Sequence, residues 1–377
     1  MRIGIVCYPT YGGSGVLATE LGIGLASKGH QIHFISYRRP ARLNSYYKDV
    51  FFHEVSAFKY PLFEHAPYDS SLTSKIVDVV QHENLDLLHV HYAIPHAAVA
   101  YMAKEILKTK GIDLPVVTTL HGTDITLVGQ DHSLASVVEF SINKSDGVTS
   151  VSDSLRNQTE DYFDITREIS VIHNFIDLDR FTRNTNWDFR KAFAPNGEKI
   201  MVHTSNFRKV KRVEDVVHVF RKVRQEINVK LLLVGDGPER RNIEELCRKH
   251  CVCDDIHFLG KQDAIEEILS LADLFILPSE KESFGLSALE ALACQVPVIS
   301  SNAGGLPEVN IEGETGFLCE VGDVDKMANK ALLLLENEEL LSRFRKNART
   351  KALEFSKENI IPQYEQIYQS CLTTSNV

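Results

Sequence analysis

The sequence predicts an α/β protein built from two doubly wound, parallel-sheet domains in series. Three observations carry this. Short β-rich runs alternate with helical patterns along nearly the whole chain, as strands joined by crossover helices do. Several runs, Ile200–Ser205 and Leu231–Gly235 among them, are largely apolar, as strands covered on both faces must be. The chain has 377 residues, and at about 100–200 residues per domain it should form two.

The elements follow in order. Arg2–Tyr8 reads as a strand, and Val16–Gly29 as a helix ended by the stop signal Gly29. Gln31–Tyr37 is the next strand. Asp86–Tyr92, Pro115–Gly122, Asp146–Ser152 and Ile169–Phe175 continue the strand pattern, with the helical run Ala97–Gly111 among them. The theme then repeats. Lys199–Ser205, Lys230–Asp236, Asp255–Gly260, Leu274–Ser279 and Pro297–Ser301 are strands, with helices such as Val213–Ile227 between them. The linker falls at His173–Phe181, "HNFIDLDRF", followed by a polar segment through Glu198. The tail from Asp323 to Thr373 is helical, with a break expected at Pro362.

Composition narrows the function classes. Hydrophobic residues make up 44% and charged residues 24%, ordinary for a globular protein. The net charge of −10 argues against a non-specific binder of nucleic acid or anionic membrane, while leaving room for a local basic pocket. The start, MRIGIVCYPTYGGSG, reaches a turn signal too early for the apolar core of a signal peptide, and no window is long and apolar enough to span a bilayer. The expected compartment is the cytoplasm. Seven cysteines are scattered. Cys247, Cys251 and Cys253 cluster, but their spacing is unusual for zinc and no fourth ligand is evident, so reduced thiols and no metal are expected.

In such sheets ligands bind beyond the carboxyl ends of the strands, and two domains facing each other would form a cleft. The strand ends are therefore the places to examine. After the first strand comes Gly12-Gly13-Ser14-Gly15 and then a helix. Glycines admit a ligand close to the backbone, and a helix start attracts anions. The pattern is not the dinucleotide motif G-x-G-x-x-G, and the next strand ends Ser36-Tyr37-Arg38 without the acidic residue that motif requires. Ser205–Arg212, "SNFRKVKR", places four cations after a strand inside an acidic protein, and reads as a phosphate clamp. Gly235-Asp236-Gly237-Pro238 also follows a buried strand. His121 ends another and is the histidine expected to touch substrate. His89, His91 and His96 read as ordinary polar residues.

The most specific string is Lys281–Leu292, "KESFGLSALEAL". Glu282 and Glu290 have seven residues between them. Glycoside hydrolysis needs two carboxylates about 5–10 Å apart across one bond. If both were helical they would lie about 12 Å apart. With Glu282 in a loop and Glu290 about one turn into a helix, the helix's free N–H groups point between them. Two hydroxyl-accepting carboxylates around an anion seat suit a nucleotide-diphosphate sugar.

The order of motifs, from the Gly-Gly turn through His121-Gly122, the basic loop, Gly-Asp-Gly-Pro, E-x7-E and Ala303-Gly304-Gly305-Leu306-Pro307-Glu308 to Glu314–Leu318, resembles the GT-B retaining glycosyltransferases, and within them family 4. The resemblance covers nearly the whole chain. Finer strings, "CYPTYGGSG", "HVHYAIPHA", "TTLHGTDITLVG", "HNFID", "SNFRKVKR" and "FLGKQ", resemble the malate-accepting N-acetylglucosaminyltransferases of bacillithiol biosynthesis.

That resemblance implies two Rossmann-like domains, at 1–172 and 173–357, with the helix 358–377 packing back on the first. It implies UDP-GlcNAc as donor, L-malate as acceptor and retention at the anomeric carbon. No cofactor is required, neither nucleic acid nor membrane is a partner, and a homo-oligomer is possible. It further implies catalytic roles for His121, Lys211 and Glu282. Glu282 would meet the sugar hydroxyls, Glu290 the ribose, and Lys211 the phosphates. Gly235 would line the donor site, Phe284, Gly285 and Leu286 would meet the diphosphate and sugar, and Gly260 and Gln262 would face uracil. Gly13 and Gly15 would flank the donor, with Ser14, Tyr92 and His121 toward the acceptor. The family's phosphate arginine is Asn206 here, with Arg208 nearby, so the second cation is left open. Arg38, Arg39 and Arg42 are either part of the acceptor pocket or a solvated loop. The alternatives are another acceptor within family 4, a UDP-GlcNAc 2-epimerase, and a non-catalytic nucleotide-sugar sensor.

Overall fold

The structure is a computed structural model that describes the chain apart from residues 11, 44, 57–66, 130, 184–185 and 375–377. Tyr11 of the glycine turn and two residues of the polar segment after the linker thus lie outside the described residues. The chain divides into two compact units, Met1–Asn174 with Glu358–Val377, and Phe175–Lys357.

Unit 1 holds a seven-stranded parallel sheet. Its strands are β1 (Arg2–Val6), β2 (Gln31–Ser36), β3 (Val50–Glu54), β4 (Leu87–His91), β5 (Val116–Leu120), β6 (Gly147–Ser150) and β7 (Ile169–Val171), in the order β3-β2-β1-β4-β5-β6-β7. β1, β4 and β5 are almost wholly buried, although β4 carries His89 and His91 and β5 carries Thr118 and Thr119. β3 is missing from the sequence reading. It is an edge strand whose residues are half-buried or exposed, so it lacks the continuous apolar run that marks the others.

Unit 2 holds a six-stranded parallel sheet of β8 (Lys199–Thr204), β9 (Val229–Val234), β10 (Ile256–Gly260), β11 (Leu274–Leu277), β12 (Val298–Ser301) and β13 (Gly316–Cys319), in the order β10-β9-β8-β11-β12-β13. One face of this sheet buries Met201, Leu231, Leu233 and Ile276 against Val216, Phe220 and Val223 of the helix Val213–Glu226.

One expectation needs correction. The helix Lys357–Thr374 runs through Pro362 without a break. Proline so near a helix start forfeits one intrahelical hydrogen bond, and burial of Ile360, Ile361, Tyr364 and Tyr368 outweighs that loss. The division between the units falls after Asn174, inside the expected linker His173–Phe181. Phe175, Ile176 and Phe181 are buried in unit 2, and the Arg349 guanidinium donates to the carbonyls of Leu178 and Phe181.

Candidate active site

In each sheet the strand order reverses once, and the loops leaving the two strands at that point diverge and open a crevice at their carboxyl ends. In unit 2 the reversal lies between β8 and β11. The loop after β8 is the basic stretch Ser205–Arg212, and the loop after β11 carries Glu282. The topology thus brings the two motifs together, and hydrogen bonds fasten them. The Glu280 N–H donates to the Val210 carbonyl at 2.8 Å, and Lys211 Nζ donates to Glu282 Oε1 at 2.6 Å. Both side chains are mostly buried, at 17% and 14% exposure. An ammonium has three N–H donors, so this contact leaves Lys211 two for an anion, and leaves Glu282 its second oxygen.

The other cations of the loop divide. Arg212 is held by Asp215, Nε to Oδ2 at 2.6 Å. Arg208 and Lys209 are exposed and make no ion pair among the described residues. Asn206 is also exposed. The base of the loop is pinned by the buried His203, whose Nε2 lies 2.8 Å from Ser205 Oγ and whose Nδ1 donates to the Ile276 carbonyl at 2.8 Å. Burial pushes that imidazole down to about 4, so it is neutral at ordinary pH.

The glycines explain themselves by contact. A Cβ at Gly235, where φ is +117°, would sit 1.8 Å from the Ser205 carbonyl oxygen, and one at Gly237 would sit 2.0 Å from that of Asn206. The Gly-Asp-Gly-Pro turn therefore packs directly on the start of the basic loop. Gly304, with φ +56°, lies against Glu282, where a Cβ would meet the carbonyl oxygen at 1.9 Å, and Gly305 N donates to that same oxygen at 2.9 Å. The Ala-Gly-Gly string is thus the seat of the Glu282 loop.

The helix Leu286–Ala293 starts at Gly285, and its first N–H groups have no partner within the helix. Phe284 is buried, its ring 5.6 Å from that of Phe355. Glu290 lies one turn into the helix, 8% exposed. Gly260 accepts from Gly235 N at 2.7 Å, and Gln262 is exposed with Nε2 donating to Leu259 O at 2.6 Å.

In unit 1 the reversal lies between β1 and β4. The helix Gly13–Ser27 begins beyond β1 with Gly12 as its cap and no capping side chain. Gly13 is exposed and Ser14 half-buried. At Gly15 a Cβ would meet the Thr10 carbonyl oxygen at 2.3 Å and that of Tyr8 at 2.6 Å. Beyond β4, Tyr92 donates its hydroxyl to Ser14 Oγ at 2.6 Å. Its ring lies 5.1 Å from that of His121, which follows β5. Ser14, Tyr92 and His121 are therefore brought together, while Arg38, Arg39 and Arg42 are engaged elsewhere. Arg38 lies over the Tyr37 ring, Arg39 donates to the Ser45 carbonyl, and Arg42 pairs with Glu20 at 3.5 Å.

Three residues that the sequence reading gave no role shape this corner. His91 Nδ1 lies 2.8 Å from His121 Nε2, fixing which His121 nitrogen faces inward. The Tyr8 ring lies 5.5 Å from Tyr92 and 4.6 Å from His96. Buried Asp124 accepts from Ala93 N at 2.9 Å and Gly122 N at 3.0 Å, tying the loops after β4 and β5 together. Burial raises its carboxyl to about 6 although those N–H donors pull the other way. His121 is pushed down to about 3 by burial and then by His96, so the imidazole is neutral. The signal for Asp124 was its place just after the His121-Gly122 turn.

Elsewhere, Asp177 and Asp323 behave as turn and cap residues, accepting from Asp179 N and Lys326 N. Cys247 is buried while Cys251 and Cys253 are exposed, and all seven cysteines are free. No helix of the described residues is long and apolar enough to cross a membrane.

Comparison with known proteins agrees with this geometry. Residues 11–180 match the family described as Glycosyltransferase Family 4, and residues 185–351 match Glycosyl transferases group 1. The N-acetyl-alpha-D-glucosaminyl L-malate synthase of Bacillus anthracis is 50% identical over 374 residues, 99% of this chain and 97% of its own. Among solved structures, a sucrose-phosphate synthase from Thermosynechococcus elongatus superposes with a TM-score of 0.83 at 21% identity, over 99% of this chain and 100% of that one. The Anabaena protein HepE, in complex with UDP and glucose, gives 0.82 at 20%, over 98% and 100%. The chain belongs to the family 4 glycosyltransferases, enzymes built from two Rossmann-like parallel-sheet domains of the GT-B class.

Proposed function

We propose that this glycosyltransferase moves N-acetylglucosamine from UDP-GlcNAc to the hydroxyl of L-malate with retention, giving GlcNAc-α-malate, the first step of bacillithiol biosynthesis. The observation that carries the reading is the 50% identity across 99% of the chain to a protein named for that reaction. Unit 2 supports the donor half. Lys211, Arg208 and the start of the helix Leu286–Ala293 offer positive potential for a diphosphate. Glu282 and Glu290 offer acceptors for sugar and ribose hydroxyls. Unit 1 supports the acceptor half, with Ser14, Tyr92 and neutral His121 able to hydrogen-bond a hydroxy acid. In this reading the second phosphate cation, missing at Asn206, is Arg208, since Arg212 is held by Asp215.

The chemistry asked of the protein is positioning and charge stabilisation. The bond from the anomeric carbon to the β-phosphate oxygen breaks, and the malate hydroxyl oxygen bonds to that carbon on the same face. Its proton passes to the departing phosphate oxygen. Lys211 and the helix start stabilise the charge that UDP acquires. The proposal places the enzyme in the cytoplasm, and seven free thiols fit a reducing compartment. The test is UDP release from UDP-GlcNAc with L-malate, D-malate, glucose 6-phosphate, inositol phosphate or no acceptor. Release that requires L-malate supports the reading. Release with another acceptor moves the enzyme elsewhere in family 4.

A further inference from the structure

Unit 1 carries a second cluster of chemistry-bearing side chains at the β3 edge of its sheet. β2 and β3 run parallel, with His33 paired to Phe51 and Ile35 to His53, so His33 and His53 project from one face. The helix Tyr68–Glu83 packs on that face and ends at Glu83. It runs back toward the amino ends of the strands, so the cluster lies away from the carboxyl-end loops that hold Ser14 and Tyr92. One possible ligand atom from each of His33, His53 and Glu83 lies within 4.8 Å of the other two.

We infer that His33, His53 and Glu83 form a binding site for a divalent transition-metal cation of the zinc class. His33 Nδ1 and His53 Nε2 face each other at 2.9 Å. Two nitrogens on a tetrahedral zinc, each about 2.0–2.1 Å from the ion, stand about 3.3 Å apart, so the rings need move only a few tenths of an ångström. His33 is 2% exposed and its Nε2 has no hydrogen-bond partner. Moving the His33 proton to Nε2, which frees Nδ1 for a metal, therefore sacrifices no bond at Nε2. Phe51 stacks on the His33 ring at 4.8 Å and holds its plane.

The Glu83 carboxylate makes no hydrogen bond or ion pair among the described residues, so it is free to close on an ion. Two imidazoles and one carboxylate suit zinc, leaving a fourth position to water. Burial and the facing His53 push His33 down to about 4, and burial lowers His53 too, so both lone pairs are available at neutral pH. Glu83 and Asp78 favour a cation here, and Arg2 and Lys75 oppose it. A bound ion would tie the edge strand β3 to the helix Tyr68–Glu83.

The test uses the full chain stripped with a chelator and titrated with Co2+. The expected result is one equivalent bound, with visible d–d bands of a tetrahedral site that Zn2+ bleaches, and slower hydrogen exchange in β3. His53→Gln, at a half-buried position, and Glu83→Gln, at an exposed carboxylate, should each weaken Co2+ binding at least tenfold while keeping the wild-type circular dichroism. His82→Gln, at the exposed neighbour, should bind as wild type. Absence of the bands overturns the inference. So does wild-type Co2+ affinity in folded His53→Gln and Glu83→Gln.

Discussion

Acid should unfold unit 1 well before ordinary carboxylates titrate. His89, His91 and His96 are fully buried, at 0% exposure. Burial pushes His89 down to about 3 and His96 to about 4, and lowers His91 too, with neighbouring imidazoles adding to the effect on His89 and His91. In the unfolded chain each returns to about 6.5. The unfolded state therefore takes up protons first as pH falls. The stability these groups contribute is full above about 6.5 and is lost below it. Between pH 7.5 and 5.5 each costs about 1.4 kcal/mol, so the three cost about 4 kcal/mol.

Asp124 works in the opposite direction. Its carboxyl, raised to about 6, takes up a proton in the folded state first and returns about 1 kcal/mol by pH 5.5. The loss from these four groups is about 3 kcal/mol, to which the lowered His121 and His33 add in the same direction, a large share of the ~5–15 kcal/mol that holds a domain together. The assay is native-state hydrogen exchange of peptides covering β4 and β5 at the two pH values, corrected for intrinsic rates. His89→Gln should shrink the pH difference by about 1.4 kcal/mol, whatever it does to absolute stability. A β4–β5 protection free energy that changes by less than about 1 kcal/mol between the two pH values would show that the buried histidines do not set the acid stability of unit 1.

The remaining predictions concern unit 2. Lys211→Ala should lower kcat by about 10²–10³ with a smaller change in donor KM, and an unchanged kcat in steady-state assays would remove Lys211 from the chemistry. Arg208→Ala should raise donor KM about tenfold, the cost of one hydrogen bond to a charged group, whereas Arg212→Ala should leave it near wild type. Equal effects of the two would reject Arg208 as the second phosphate cation. Gly304→Ala forces a side chain into the Glu282 carbonyl at φ +56° and should cost unit 2 about 1–3 kcal/mol in urea melts, with activity falling too.

The sequence carried the fold because parallel strands buried on both faces are mostly apolar and alternate with helical patterns, even where a strand such as β4 also buries histidines. It failed at β3, where an edge strand has no such constraint, at β13, whose four residues are too short a run to stand out, and at Pro362, where packing outweighed a local preference. It marked Glu282, Glu290, Lys211 and the glycine strings as residue types at fixed spacing. It could not show that Lys211 and Glu282 touch, because that contact comes from the strand order, which places β8 beside β11. It left the second phosphate cation open, and the structure narrows the choice by turning Arg212 onto Asp215, three residues further along the chain. His91 and Asp124 escaped for a similar reason. The partners that give them their place here, His121 for His91 and the Ala93 N–H for Asp124, come from a neighbouring strand end about 30 residues away.

The most direct test of the whole account is the proton NMR spectrum of the product formed from UDP-GlcNAc and L-malate by the purified enzyme. A single new anomeric signal is expected, with the small coupling of an α-linked N-acetylglucosamine joined to the malate hydroxyl oxygen, growing in step with UDP. A β-linked product would contradict retention. Appearance of the 2-epimer without acceptor, and no malate adduct, would contradict the transferase assignment itself.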